Sequence, residues 1–237
     1  MAGRQVFFKT ALRALPDVFT IKNMPFSERT NYRYLDEMLK KGHVVTIEKG
    51  LYAKKSASPY KVAFLYYMGH ISFSSALYIH GLKTESEKKI YISVNRPKKR
   101  MVFQGLELIP VLFKKFLFSA QEIKGITVTT YPKTVFDMFH KPKYADFYCL
   151  YRALNWKPMA EDEWRELLKM AQMAPLSTVR RLGYGLEGKA PEWFIKELEK
   201  LNAPKGVSFF VPGVSEGYSK KWRIYEPNHI RRWINEY

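Results

Sequence analysis

The most restrictive stretch of the sequence spans residues 27–55, where a helical period gives way abruptly to a strand period. Ser27 is a favoured N-cap, and Glu28 sets a carboxylate at the positive end of the helix dipole. Tyr32, Leu35, Met38 and Leu39 then recur at helical spacing, and Gly42 supplies the C-cap. Val44, Val45, Thr46 and Ile47 follow as a strand, Glu48-Lys49-Gly50 as a turn, and Leu51-Tyr52-Ala53 as the returning strand. Upstream, residues 5–14 read as a helix, and Pro16-Asp17 opens a short second one through Val18, Phe19 and Ile21. Three helices followed by a hairpin is the order of a winged helix-turn-helix.

Charge gives this order a meaning. The 237 residues hold 40 Lys and Arg against 22 Asp and Glu, a formal net charge of +18. Residues 1–57, the shortest of three segments, carry 11 basic and 5 acidic side chains and so the densest positive charge. Such an excess points to nucleic acid or an acidic protein as partner. Hydrophobic residues at 46% and aromatics at 16% suffice for a packed core and argue against disorder. The lone Cys149 excludes an intramolecular disulfide and a multi-cysteine zinc site, and suits a reducing cytosol. No run of about 18 apolar residues is present, so no membrane span is expected. Arg4, Lys9 and Arg13 interrupt the N-terminal apolar residues, which argues against a secretory signal. The expected location is the cytoplasm.

At about 100° per residue, a core stripe of Tyr32, Leu35 and Leu39 turns Thr30, Arg33, Tyr34 and Glu37 outward, with Arg29 on the flank. Base contacts in this motif come from the N-terminal part of the recognition helix, lying in the major groove. The expected DNA-binding residues are Ser27, Arg29, Thr30, Arg33 and Tyr34 on the helix, with Lys49, Lys54 and Lys55 on the wing. An arginine fork matches guanine O6 and N7, whereas the wing lysines would meet phosphates. Arg96, Lys98, Lys99 and Arg100 form the strongest local charge run, a further candidate nucleic-acid contact that otherwise reads as a solvated loop.

Ser56-Ala57-Ser58-Pro59 reads as a linker, dividing the chain into a winged helix at 1–57 and a second unit at 58–237, with a candidate sub-boundary near 155. In the second unit, residues 59–79 give two apolar helices. Residues 91–94, 107–112 and 126–130 read as strands, and helices are expected from Pro132 and from Tyr144. The expected class is therefore α+β: a winged helix, then a larger mixed α/β unit with a helical C-terminal part. In that last part, residues 209–211 and 222–225 are expected to pair as a hairpin, and Arg180-Arg181 and Arg231-Arg232 read as solvated helix surface or nucleic-acid contacts.

Three segments resemble a known family. Ser74-Ser75-Ala76-Leu77-Tyr78-Ile79-His80-Gly81-Leu82 is similar to the signature of AbiEi-type antitoxins, also called viral-defence transcriptional regulators. Thr134-Val135-Phe136-Asp137-Met138-Phe139 with Lys141-Pro142 resembles the family's later helix, and Arg181-Leu182-Gly183-Tyr184 with Leu186-Glu187 a third segment. Ser75, His80 and Asp137 are the signature positions. Lys133 departs from an expected arginine and Gly185 from an expected apolar residue. The resemblance implies a protein that represses its own operon through the winged helix. It also implies neutralisation of a nucleotidyltransferase-like toxin without a stable complex being required. The implied partners are double-stranded DNA at repeated sites in its own promoter and that toxin; no enzyme activity, cofactor or metal is implied.

Three patterns compete with this reading. Ser75, His80 and Asp137 could be written as a hydrolase triad, but Ser75 and His80 are five apart on one helix and no G-x-S-x-G elbow occurs. Gly183 to Gly188 matches G-x-G-x-x-G without the preceding buried strand that dinucleotide binding needs. Glu107 with Glu122-Ile123-Lys124 could hold a divalent metal for phosphodiester cleavage, which makes a defence nuclease the alternative function. An operon regulator without a toxin is the other alternative.

Overall fold

The computed structural model describes residues 10, 12–85, 88–115 and 118–236, and their arrangement is α+β. The first core gathers Leu15, Phe19, Met24, Leu35, Met38 and Val44. Strand β1 (Val18–Thr20) pairs antiparallel with β3 (Leu51–Lys54), and β3 with β2 (Val44–Glu48). Helix α1 (Glu28–Lys40) packs beside this sheet, and Gly42, at φ +65°, turns the chain out of the helix into β2. Residues 12–14 are helical, while most of the helix expected at 5–14 lies outside the described residues. The expected second helix is not formed. Val18, Phe19 and Thr20 are β-branched or aromatic, and β3 offers them an in-register partner at Phe19↔Tyr52, so only Ile21–Asn23 turns, as a single 3-10 turn.

The expected linker is a packed corner rather than a tether. Ala57 is buried, and Ser58 precedes α2 (Pro59–Tyr67), which carries its proline in the first turn. The Gln104 amide donates to the carbonyls of Lys55 at 2.5 Å and Ala57 at 3.0 Å. Lys61 of α2 pairs with Asp17 at 2.8 Å. The winged helix is thus fastened to the rest of the chain.

Behind it lies a six-stranded mixed sheet, ordered β6-β7-β5-β4-β9-β8. Its strands are β4 (His70–Ile71), β5 (Lys89–Val94), β6 (Met101–Phe103), β7 (Leu106–Leu112), β8 (Ala120–Ile123) and β9 (Ile126–Thr129). β5 runs parallel to β7 over its whole length and antiparallel to β4. Alternation sends Ile90, Ile92 and Leu108 towards α2, and Ile109, Val111 and Phe113 towards the opposite face. That opposite face is covered by α3 (Phe73–Ile79), α4 (Tyr131–His140) and the C-terminal helices.

These are α5 (Phe147–Trp156), α6 (Glu161–Gln172), α7 (Leu176–Leu186), α8 (Glu192–Leu201) and α9 (Asn228–Glu236). One continuous core runs from Phe73 to Ile230, so the packing has no break near residue 155. The expected C-terminal hairpin is replaced by a different pairing: β10 (Ser208–Phe209) lies parallel to β12 (Ile224–Glu226), and β11 (Gly217–Ser219) is the antiparallel neighbour. Arg180 and Arg181 explain the difference, because both are buried. Arg180 donates to the carbonyls of Ala203 and Lys205 and to Ser208 Oγ, and Arg181 to the Phe209 carbonyl, which lays β10 along α7. Neither arginine faces solvent or a nucleic acid. The glycine-rich segment is the body of α7: a Cβ on Gly183 would stand 2.1 Å from Trp222, and one on Gly185 2.3 Å from Phe139. These glycines let helix and core side chains approach closely.

His140 ends α4 with its ring stacked on Phe136 at 5.3 Å and its Nδ1 2.9 Å from Thr178 Oγ1. Burial, with Lys141, Lys133 and Arg181 adding repulsion, pushes this imidazole down to about 4. Burial also lowers His70 and His80. A depressed histidine contributes stability that is present above the unfolded value of about 6.5 and is lost as pH falls towards the folded value. Urea melts should therefore show stability dropping between pH 7 and pH 5, with about 1–2 kcal/mol due to His140 after allowance for its partial exposure. His140→Gln should flatten that dependence; an unchanged pH slope in the variant would contradict the assignment.

Candidate nucleic-acid interface

α1 is positioned from beneath by Asn31, which the sequence pattern did not single out. Its buried amide donates to the carbonyls of Met24 at 3.2 Å and Phe26 at 3.0 Å, and its Oδ1 accepts from the Phe26 amide at 3.1 Å. The turn before the helix is thereby fixed to the helix itself. Tyr34, Leu35 and Met38 complete the buried stripe, with Tyr34 against Phe26 at 5.2 Å between ring centroids. Tyr34 is thus a core residue and not a DNA contact, whereas Tyr32 is 54% exposed. The stripe is rotated by one position from the expected one, because Asn31 occupies a core position despite its polarity.

The rotation leaves Arg29, Tyr32, Arg33 and Asp36 on the outer face. Ser27 adopts an extended N-cap conformation, but its hydroxyl donates to Thr30 Oγ1 at 2.9 Å rather than capping a backbone amide. Lys40 in the last turn and Lys41 at the C-cap pair with Asp36 and Glu37 at 2.6 Å each. Among the described residues, no carboxylate pairs with Arg29 or Arg33. The helix therefore presents its unpaired cations at the N-terminal half, the part that enters a major groove in winged-helix docking.

On the wing, Lys49 is exposed at the tip beside Gly50, which sits at φ +80°. Lys55 is exposed, and the Lys54 ammonium turns back to donate one hydrogen bond to the Arg13 carbonyl at 3.2 Å. The charge run at 96–100 lies exposed between β5 and β6, and α2 brings it to the wing. The Tyr66 hydroxyl donates to Glu48 Oε2 at 3.1 Å, and Lys98 Nζ lies 5.7 Å from the centre of the same ring. The neighbouring Tyr67 hydroxyl donates to the Lys99 carbonyl at 2.8 Å and the Leu108 carbonyl at 3.2 Å, fixing the base of the loop. Burial and the neighbouring Tyr66 push the Tyr67 phenol far up, so it stays a donor. Arg100 pairs with Glu107 at 3.2 Å, which leaves Arg96, Lys98 and Lys99 as the outward charges.

The three family-signature positions are not brought into a triad. Ser75 Oγ accepts from the Tyr91 amide at 3.0 Å, tying α3 to β5, and His80 Nε2 donates to the Thr129 carbonyl at 2.8 Å. Asp137 is fully buried and joins Lys133 in an ion pair, with Ser72 Oγ donating at 2.5 Å and Ser93 Oγ at 3.3 Å. Burial pushes the Asp137 carboxyl up and the Lys133 ammonium down, against their mutual attraction. All three residues hold the fold. The metal pair of the alternative nuclease reading is separated too: Glu107 on β7 and Glu122 on β8 are four strands apart in the sheet, about 19 Å at ordinary strand spacing.

The arrangement is a winged helix joined to an α+β body. No family model and no curated protein matches the sequence. The fold is shared with the crystal structure of the RV2827C protein from Mycobacterium tuberculosis, at a TM-score of 0.64 over 97% of this chain and 93% of that one, with 13% identity. At that identity the likeness concerns the fold.

Asn31→Leu keeps the helix and the volume but orphans the Phe26 amide and two carbonyls. It should lower unfolding stability by about 1–3 kcal/mol, measured by urea denaturation of the full chain. A variant as stable as the parent would show that the turn before α1 is held by other contacts.

Proposed function

We propose that the protein is a DNA-binding repressor of its own operon and the antitoxin of a nucleotidyltransferase-like toxin, acting in the cytoplasm without enzymatic chemistry, cofactor or metal. The observation that carries the DNA half is the uneven pairing of charge on α1. Arg29 and Arg33 face outward in its first half with no carboxylate partner among the described residues, Arg33 lying 5.6 Å from the Tyr34 ring centre, while Lys40 and Lys41 at its C-terminal end are engaged with carboxylates. Lys49 and Lys55 on the wing would hold flanking phosphates, and Arg96, Lys98 and Lys99, joined to the wing through Tyr66, would lengthen that footprint. The antitoxin half rests on the AbiEi-like segments around Ser75, His80 and Asp137. The separation of Glu107 from Glu122 removes the support for a nuclease.

Binding to promoter DNA of its own operon, followed by fluorescence anisotropy, tests the reading. Arg33→Ala should weaken specific binding about 5- to 100-fold and relax the sequence preference, as expected for loss of one base-reading fork. Lys98→Glu with Lys99→Glu should weaken all sequences and reduce the slope of log affinity against log salt by about 2. Co-expression with the neighbouring gene product tests the antitoxin half: growth rescue supports it, and a harmless neighbour leaves a plain operon regulator.

A further inference from the structure

A second basic surface lies at the other end of β5 from the wing. Two adjoining hollows of about 410 and 320 Å³ share Asp146 in their walls. The larger is lined by one face of α5, where Tyr148, Arg152 and Trp156 follow one another at intervals of four residues. Trp156 is 66% exposed at its lip, an unusual position for the largest side chain. The Arg152 guanidinium lies 5.5 Å from the centre of the Tyr148 ring, and Trp233 of α9 backs that ring at 6.2 Å. Lys83 Nζ enters from the loop after α3, 3.7 Å from Asp146. The smaller hollow adds Lys88, Lys89 and Lys143 with Tyr91 and Tyr144. Five cations thus face two carboxylates, Glu85 and Asp146, with aromatic rings between them.

Cations set along a groove at intervals with exposed rings match one ligand chemistry, a phosphodiester backbone carrying unpaired bases. A duplex hides its base faces and fits poorly into hollows of this size; a single strand exposes them. β5 spans roughly 17–20 Å between this groove and the basic loop, so the groove is separate from the surface assigned to duplex DNA. We propose that the groove binds a single-stranded stretch of nucleic acid, with a base stacked on Trp156 and phosphates held by Lys83, Arg152 and the lysines of the smaller hollow. Uniform positive charge alone would not require Trp156, and this difference makes the proposal testable.

The probes are labelled oligouridylate and oligodeoxythymidylate, titrated with the full-length protein at physiological salt, with circular dichroism confirming that each variant is folded. Trp156→Ala should weaken single-strand binding about fivefold or more, the loss expected for one stacked base, and Trp156→Phe should recover part of it. Arg152→Glu should weaken it further and lower the salt dependence. Arg33→Ala should leave single-strand affinity unchanged while impairing the promoter duplex, so failure of the repressor reading is distinguishable from failure of this one. Trp156-dependent binding of either strand supports the proposal, and the preferred strand identifies the sugar. If Trp156→Ala and Arg152→Glu bind both strands as tightly as the parent, or if neither strand binds at all, the groove serves a protein contact and the proposal is overturned.

Discussion

A buried carboxylate organises the centre of the molecule. Asp137 sits on α4 beneath the sheet, and its oxygens are claimed by Lys133 one turn earlier, by Ser72 between β4 and α3, and by Ser93 on β5. Three parts of the chain distant in sequence are thereby drawn to one point. Lys133 gains further from the Phe113 ring, 4.6 Å from its ammonium. Such a pair adds little net stability over an apolar filling, but loss of one partner strands a charge in the core, a penalty of about 3–5 kcal/mol. Its value is positional: the three partners are satisfied only when α4, the end of β4 and β5 have one mutual placement.

That placement matters because β5 connects the two basic surfaces. Its C-terminal end leads into the loop at 95–100, which Tyr66 and Tyr67 hold beside the wing, and its N-terminal end begins at Lys89 in the groove wall. The tightly packed corner at Ala57 and the Lys61–Asp17 pair then fasten the winged helix to the same framework. Rotation of the winged helix relative to the basic loop would break the contacts of Tyr66 with the wing and the loop. On the proposed function, the surface offered to a duplex is pre-assembled from two units, which would limit the ordering cost of binding.

Periodicity reveals much of this and misses a definable part. The helix at 28–40, the hairpin after it and the long strands β5 and β7 announce themselves through apolar spacing and turn residues. Periodicity failed where a polar side chain occupies a core position. Asn31 hid the true stripe of α1, so Tyr32 and Tyr34 exchanged their expected roles. Arg180 and Arg181 read as solvated charge because no local pattern reveals that carbonyls from residues 203–209 will surround them. Short strands such as His70–Ile71 carry too few residues for alternation to show, and exist because long-range partners flank them. The triad and the metal pair were arrangements of letters; engagement with other partners dissolved the first and strand separation the second.

The charge of +18 therefore does not act as one undifferentiated field. Along the exposed helices many cations are neutralised locally: Arg165 by Glu161 at 2.5 Å, Lys196 by Glu192 at 2.7 Å, and Arg232 by Glu236. Such i,i+4 pairs support their helices modestly and present little net potential beyond a Debye length. Cations without a carboxylate among the described residues include Arg29 and Arg33 on α1, Lys49 on the wing, Arg96 and Lys99 on the loop, and Lys88, Lys89, Lys143 and Arg152 in the groove. Selection for solubility alone would need no such segregation, since paired and unpaired lysines hydrate equally well. Uncompensated charge left on the ridge of α1, wing and basic loop, and again in the groove, would draw a polyanion to those two surfaces more than to helix faces whose cations are paired.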